Sequence, residues 1–187
     1  MVTLISAFVF AGVLSAYIFL GRGLARQANE ESLESRARLA LFYFTQDVSA
    51  ASTITASNPG TQTDGTLITL TIPQPGSTET VEYICNWDLG PTLGTLSRQI
   101  VGAPTALTLL TNLSSFSFGY YDLTGNSITV PAVAPTSPQM DIKQVYMAYT
   151  SVAGYAASGA QSQFAVVSPR VIMKNKALIR DPNDPYQ

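Results

Sequence analysis

The fold of this chain is decided by residues 2–20, which read Val-Thr-Leu-Ile-Ser-Ala-Phe-Val-Phe-Ala-Gly-Val-Leu-Ser-Ala-Tyr-Ile-Phe-Leu. No charged side chain occurs in residues 1–21, and the first charge is Arg22. Nineteen residues in an α-helix span roughly 28 Å, which is close to the thickness of the hydrocarbon core of a bilayer. The sequence therefore predicts a transmembrane helix over residues 2–20.

A cleaved secretory signal is the alternative interpretation of this run. Such a signal has a positively charged region before the apolar run and a small-residue cleavage site after it. Here no Lys or Arg precedes the run, and a helical pattern follows it. We therefore expect the run to belong to the working protein, with a charged leader already removed.

An amphipathic helix is predicted to continue from the apolar run. Six apolar residues recur at steps of three and four, which places them on one helical face that we expect to pack on a sheet: Leu33, Ala37, Leu41, Phe44, Val48 and Ala51. The β-branched and turn-rich residues from Thr53 to Gly60 end the helix. Gly21 and Gly23 indicate a break at 21–23, either a hinge or a loop at the membrane boundary. We expect a helix over residues 1–54 and a separate head over 55–187.

The composition excludes several classes of function. The chain has 187 residues, with 10 basic and 12 acidic side chains, one cysteine and no histidine. A nucleic-acid-binding protein needs a basic surface, which a net charge of −2 does not supply. One cysteine excludes an intrachain disulfide and a multi-cysteine zinc site. The absence of histidine removes the commonest general base and metal ligand.

The head is predicted to be a mainly antiparallel β-sheet. Its segments alternate apolar and polar residues, are rich in β-branched and aromatic residues, and are joined by turn residues without intervening helices. The predicted strands are residues 66–72, 80–87, 93–100, 107–122, 128–130, 141–152 and 163–175. The helix stripe covers the buried face of the sheet, so the fold class is α+β.

No catalytic constellation is found, and we expect no enzyme activity, cofactor or metal site. Cys85 lies at an inward-facing position of a strand and is interpreted as a buried small apolar residue, because a catalytic thiol needs a histidine partner. Residues 122–126 carry oxygen ligands, but a hairpin turn explains them better. Asp181, Asn183 and Asp184 form either a weak calcium site or a solvated tail.

Three further features of the sequence are weaker candidates for functional residues. Asn112-Leu-Ser114 fits the acceptor pattern for N-glycosylation. The acidic residues without an evident acid–base partner are Glu79, Glu82 and Asp88. An aromatic adhesive face is conceivable from five tyrosines, although core and subunit contacts explain most of them better: Tyr120, Tyr121, Tyr146, Tyr149 and Tyr155.

The organisation as a whole resembles the type IV pilin family, which includes type IV pilus subunits and the pseudopilins of type II secretion. Thr3-Leu4-Ile5-Ser6-Ala7-Phe8 is similar to the start of the mature chain in that family. The segment from Arg36 to Ala51 resembles the helix-to-head segment of the larger minor pilins and minor pseudopilins. Looser similarity extends over four strand segments: 81–83, 96–98, 120–122 and 168–175.

The resemblance implies a type IV pilin fold, in which a long N-terminal helix packs on an antiparallel sheet and polymerises with other copies. Met1 would be the processed and N-methylated end. Copies of the chain would contact one another through ten helix residues: Thr3, Leu4, Ile5, Ser6, Phe8, Phe10, Gly12, Leu14, Tyr17 and Leu20. The partners implied are other copies, the inner-membrane pilus assembly machinery and membrane lipid before assembly, and the final location is a cell-surface filament or a periplasmic pseudopilus.

One departure from the family concerns a glutamate that neutralises the terminal amine of a neighbouring subunit. The matching position is Ser6, or Ile5 if the mature chain begins at Met1, and neither is acidic. This departure favours a special subunit, because some pseudopilins at filament tips also lack the glutamate, or a lineage that neutralises the amine in another way. Three functions therefore stay open: a filament subunit, a minor pseudopilin that primes or caps a secretion pseudopilus, and a membrane-anchored periplasmic binding domain.

Overall fold

The structure, a computed structural model, describes residues 2–57, 66–87, 93–129, 141–153 and 162–176. These described residues form one long helix followed by nine strands. The elements are α1 (Val2–Ala50), β1 (Thr53–Ser57), β2 (Thr66–Gln74), β3 (Ser77–Trp87), β4 (Gly94–Ile100), β5 (Leu107–Tyr121), β6 (Ser127–Ile128), β7 (Gln144–Ala153), β8 (Ser162–Val167) and β9 (Val171–Ile172). The predicted α+β class is confirmed: a long apolar N-terminal helix packs on an antiparallel sheet.

The strands form one sheet in the order β1-β2-β3-β4-β5-β7-β8, with β6 paired to β5 and β9 paired to β7. Each of these pairings is antiparallel. The β2–β3 hairpin turns through Pro75 and Gly76, and Gly76 has the positive φ of 81° that the second residue of a type II turn requires. Strands β2 and β5 come into contact although two strands separate them, so the sheet curls around its buried face.

The core lies between the concave face of the sheet and the C-terminal half of α1. Alternation places Val81, Tyr83 and Cys85 of β3 on the buried face, as the sequence predicts. Of the six helix positions predicted to pack on the sheet, five are buried and Leu41 is partly buried against the core. Ala40 is also fully buried and extends the same face.

The helix is continuous, and this differs from the break expected at Gly21 and Gly23. Both glycines lie inside α1. A Cβ added at either one would meet no other atom within 4 Å, so neither glycine is required for the close approach of another described segment to the helix. The penalty of about 1 kcal/mol per glycine is smaller than the cost of ending and restarting a helical hydrogen-bond ladder.

The start of the head differs as well. The helix ends at Ala50, and β1 begins at Thr53, so the head begins before the boundary expected between residues 54 and 55. Thr53 and Ile54 pair with β2, and Ile54 is fully buried. The β-branched residues that were expected only to end the helix therefore form an edge strand of the sheet.

The last predicted strand, residues 163–175, is two strands in the structure. β8 ends at Val167 and β9 begins at Val171. Pro169 lies between them and has no backbone N–H to donate to a ladder, so pairing stops there. Both short strands pair with β7, at different ends of it.

Candidate functional site

The N-terminal part of α1 projects from the head with its side chains exposed. We call residues 8–20 the apolar segment. It exposes nine large apolar side chains: Phe8, Val9, Phe10, Val13, Leu14, Tyr17, Ile18, Phe19 and Leu20. Burial of such a side chain stabilises a protein by about 1.5–3 kcal/mol, so exposure of the apolar segment to water forgoes a stabilisation on the order of 10–25 kcal/mol.

One helix among the described residues is long and apolar enough to cross a membrane. It is α1 over Phe8–Ala50, whose most apolar stretch has a mean hydropathy of 1.7 with none of that stretch buried. This property is compatible with the transmembrane helix predicted from the sequence.

The expected filament contacts divide into described and undescribed side chains. Ser6, Phe8, Phe10, Gly12, Leu14, Tyr17 and Leu20 are all exposed in the structure. The backbone of Thr3, Leu4 and Ile5 is helical, but their side chains lie outside the described part, as does the whole of Met1.

The sheet holds α1 from about Arg26 onward. Ser162 donates a hydrogen bond of 3.4 Å from its hydroxyl to the carbonyl of Arg26. Nearly three helical turns farther along α1, the guanidinium of Arg36 donates to Thr111 Oγ1 at 2.7 Å. The apolar segment therefore lies N-terminal to the first of these contacts with the sheet.

A buried ionic group joins α1 to the sheet, and we call Asp47, Tyr83 and Arg98 the junction cluster. Arg98 donates to Asp47 through Nε to Oδ2 at 2.6 Å and through Nη2 to Oδ1 at 3.1 Å. Tyr83 donates its hydroxyl proton to Asp47 Oδ2 at 2.6 Å. The two-point contact between a guanidinium and a carboxylate fixes both the distance and the orientation of the helix on β3 and β4.

The junction cluster is sufficiently buried to shift the pKa values of its ionisable side chains. The side chains of Arg98 and Asp47 are 14% and 6% exposed. Burial, with the adjacent charge of Asp47 and the hydrogen bond to it, raises the pKa of Tyr83 above its ordinary range. The hydrogen bond to Asp47 raises the pKa of Arg98 as well. The ring of Tyr43 lies 5.3 Å from Arg98 Cζ and covers the guanidinium on the helix side.

Sequence reasoning missed this cluster, since Asp47 is not among the six residues predicted to pack on the sheet. The signal was present: Asp47 is three residues after Phe44 and four before Ala51, both of which belong to that set. Arg98 likewise shares a strand face with buried Leu96. A charge at an inward position on each element predicts that the two meet.

The C-terminal end of α1 is capped by residues far along the chain. The backbone N–H of Lys174 donates to the carbonyl of Ser49 at 3.1 Å, and the side-chain amide of Asn175 donates to the carbonyl of Ala50 at 2.9 Å. The last carbonyls of a helix have no partner within it, so these bonds satisfy groups that would otherwise need water. The helix is therefore held at its end as well as along its face.

The candidates for chemistry do not form a site within the described residues. Cys85 is buried, and burial raises the pKa of its thiol to about 12, which keeps it protonated near neutral pH. Residues 122–126 form the predicted turn between β5 and β6, in which Asp122 accepts hydrogen bonds from Thr124 and Asn126. Among the residues that the structure describes, no group of three or more potential metal ligands is found.

The remaining candidates are scattered. Asn112 is exposed at an irregular point of β5 and has a positive φ of 56°. Glu79 and Glu82 both lie on β3, while Asp88, Asp181, Asn183 and Asp184 lie outside the described residues.

The tyrosines expected as a possible adhesive face are split between the two faces of the sheet. Tyr120 and Tyr149 are buried, and their hydroxyls have no hydrogen-bond partner among the described residues. Tyr121 and Tyr146 lie on the opposite face with ring centroids 5.8 Å apart, and Tyr155 is outside the described part. Five tyrosines therefore do not make one surface.

A scan against protein-family models and a search of curated proteins found no match to this chain. The functional argument accordingly starts from the apolar segment and the junction cluster.

Proposed function

We propose that this chain is a non-enzymatic structural subunit of a type IV pilus-like filament, in which α1 is the spine and the β-sheet head forms the outer wall. The observation that carries the proposal is the exposed, charge-free apolar segment, continuous with a helix whose other half is fixed to a β-sheet. A polymer of such chains buries the apolar segments together and leaves the sheets outside.

The same segment serves before and after assembly. In a bilayer its side chains lie in hydrocarbon, and in a bundle of helices they lie against equally apolar neighbours. Transfer from membrane to filament therefore changes the apolar burial little, whereas release into water would expose nine large side chains. A single head-to-tail contact repeated without closing then produces a filament.

The attachment of the head suits this role. A filament subunit must keep its head in one orientation on the spine, because every copy repeats the same contacts. The junction cluster supplies a directional ionic contact, and the cap on Ser49 and Ala50 fixes the helix end. The outer wall is thus held to the spine at two places.

Two alternatives use the same elements. A minor pseudopilin at the tip of a secretion pseudopilus would also lack an acidic residue in the apolar segment, and residues 1–21 contain none. A membrane-anchored binding domain would use α1 only to cross the bilayer. In each case the protein acts in the inner membrane first, and only the filament and pseudopilus require other copies and assembly machinery.

Electron microscopy of fibres sheared from the cell surface tests the proposal, with mass spectrometry to identify this chain and its N-terminal peptide. A filament composed chiefly of this chain is the expected result. One copy per filament end would favour the tip subunit, and a monomer confined to the membrane would refute a filament role. A variant lacking residues 1–25 should be a soluble, folded head that forms no filaments, and filaments from that variant would contradict the spine role of α1.

A further inference from the structure

The outer face of the sheet, which points away from α1, carries two tyrosines side by side. Tyr121 of β5 and Tyr146 of β7 have ring centroids 5.8 Å apart, with the ring planes inclined at 36°. Their neighbours along the two strands, Tyr120, Val145 and Met147, are buried, so the alternation of a strand directs these two rings outward. The pair therefore lies outside the core under α1 and can contact another molecule.

A glycine sets the position of one of these rings. Gly119 lies directly opposite Tyr146 in the ladder between β5 and β7. A Cβ added to Gly119 would overlap the Tyr146 ring, so the ring occupies the space above the strand where another side chain would stand. The ring is therefore held against the backbone of β5, and its exposed surface faces away from the sheet.

The guanidinium of Arg170 lies on the other ring. Its Cζ is 3.7 Å from the centroid of Tyr121, which is a close cation–π contact. The backbone beside it is fixed to β7, because Ser168 donates its N–H to the carbonyl of Met147 at 2.8 Å and accepts the Met147 N–H on its hydroxyl at 2.9 Å. We call Tyr121, Tyr146 and Arg170 the outer platform.

The positive charge of the outer platform has no partner within the described part of the chain. Arg170 is exposed, and no carboxylate of the described residues forms an ion pair with it. The carboxylate of Asp122, on the adjoining turn, accepts hydrogen bonds from Thr124 and Asn126 instead. A guanidinium stacked on a ring still directs its five N–H donors outward in its own plane. Charge complementarity therefore favours a partner that carries a carboxylate.

Uncharged polar side chains continue the outer platform along the same face. The alternation of β5 and β7 places four of them there: Ser115, Ser117, Gln144 and Thr150. From Ser115 to Tyr121 this face extends about 20 Å along the strand, enough for a short oligomer. Hydroxyl and amide groups donate and accept hydrogen bonds, so this surface suits a partner that presents many hydroxyls.

We propose that the outer platform binds an acidic saccharide, with a sugar ring on Tyr146 and a carboxylate on the guanidinium of Arg170. The C–H groups on one face of a pyranose ring pack on an exposed aromatic ring, while its hydroxyls bond to polar side chains at the rim. A uronic acid adds the carboxylate that a guanidinium binds through two parallel hydrogen bonds. An acidic peptide supplies the carboxylate without the rings and hydroxyls. The site lies on the head, so the proposal does not depend on whether the chain forms filaments.

Isothermal titration calorimetry tests this binding with the full chain in a polyoxyethylene detergent, which carries no sugar. The probe is tetragalacturonate. Its methyl ester keeps the rings and most hydroxyls without the charge, and tetraglutamate keeps the charge without the rings. We expect tetragalacturonate to bind with a Kd below about 1 mM, and each control to bind roughly fivefold more weakly or worse. Equal affinity for either control, or no binding of tetragalacturonate at millimolar concentration, would overturn the proposal.

Substitutions test the residues of the outer platform separately. Arg170→Gln should weaken tetragalacturonate binding by roughly fivefold or more, whereas Lys174→Gln, which removes another exposed cation, should change it by less than about twofold. Tyr146→Leu keeps an apolar cover on Gly119 and should weaken binding by about threefold or more, while Tyr146→Phe keeps the ring and should bind within about twofold of the unmodified chain. The fluorescence of Trp87 in urea checks that each variant is folded. Equal losses from Arg170→Gln and Lys174→Gln, or full binding by Tyr146→Leu, would contradict a site at this place.

Discussion

Replacement of Arg98 by methionine is expected to weaken the attachment of α1 to the sheet. The loss of stability should be larger than that caused by the same replacement of an exposed arginine. The substitution keeps an apolar side chain of similar length but removes both hydrogen bonds to Asp47. The Asp47 side chain is only 6% exposed, so water does not readily replace the guanidinium. Its carboxylate then retains only the hydroxyl of Tyr83 as a side-chain donor within the junction cluster.

The magnitude follows from the geometry. Two unit charges about 4 Å apart interact by about 4 kcal/mol at the effective dielectric constant near 20 that suits protein sites. Measured losses on breaking a buried ion pair are about 3–5 kcal/mol, because one charge stays buried without its partner. Tyr83→Phe removes one hydrogen bond to a charged group and should cost about 1.5–3 kcal/mol.

The matched control is Arg38→Met, which breaks the ion pair with Glu34 on the surface of the same helix. The Arg38 side chain is 78% exposed, so the expected loss is below about 1 kcal/mol. Replacing both partners, by Asp47→Leu together with Arg98→Met, should recover much of the loss because no buried charge remains.

Urea unfolding of the full chain in a nonionic detergent measures these free energies, with the fluorescence of Trp87 as the signal. Trp87 is the only tryptophan and packs against the core from the end of β3. A midpoint shift for Arg98→Met no larger than that for Arg38→Met would refute the ionic account of the helix–sheet junction. A double variant less stable than Arg98→Met alone would refute the explanation by an unpaired charge.

Three further predictions concern other parts of the fold. Burial lowers the pKa of Lys176 from 10.5 to about 8. The free-energy cost of burying its charged amine is therefore fully present below pH 8. The contribution of Lys176 to the free energy of unfolding should therefore increase from pH 8 toward 10, where the unfolded chain still binds the proton. In a urea titration series, the difference in free energy of unfolding between the unmodified chain and Lys176→Met should change in that direction over this range, and a constant difference would contradict the shifted pKa. Gly119→Ala places a Cβ in steric overlap with the ring of Tyr146 and should destabilise the fold by about 1–3 kcal/mol in the same assay, whereas an unchanged midpoint would show that the ring moves freely. Replacing Gly21 and Gly23 by alanine should leave the helical circular dichroism unchanged, and a clear increase would show that the helix is interrupted there.

Local pattern was sufficient for most of the elements. The step of three and four from Leu33 to Ala51 describes the face of α1 that the sheet buries. The period of two in β3 places Val81, Tyr83 and Cys85 inward. These patterns succeed because a helix or strand that must bury one face repeats its apolar residues at its own period.

The predictions from sequence fail where a contact with a distant part of the chain outweighs the local structural preference of a residue. Thr53 and Ile54 look like the end of a helix, but pairing with β2 makes them a strand. Asp47 looks like a solvent-facing charge, but Arg98, 51 residues later, gives it a partner inside. Neither partner is visible from sequence separation, because only the curled sheet brings β3 and β4 under the helix.

The sequence by itself determined the charge-free N-terminal run, the helical and alternating periods, and hence a long helix with a β-sheet head. It did so because apolar burial and backbone geometry act within a few residues. The tertiary structure alone decided where the helix meets the sheet, which charge is buried at that junction, and which apolar residues of the helix stay uncovered. Those features depend on the packing of segments distant in the chain, whose positions are set by the curl of the sheet and by the partners each buried polar group must find.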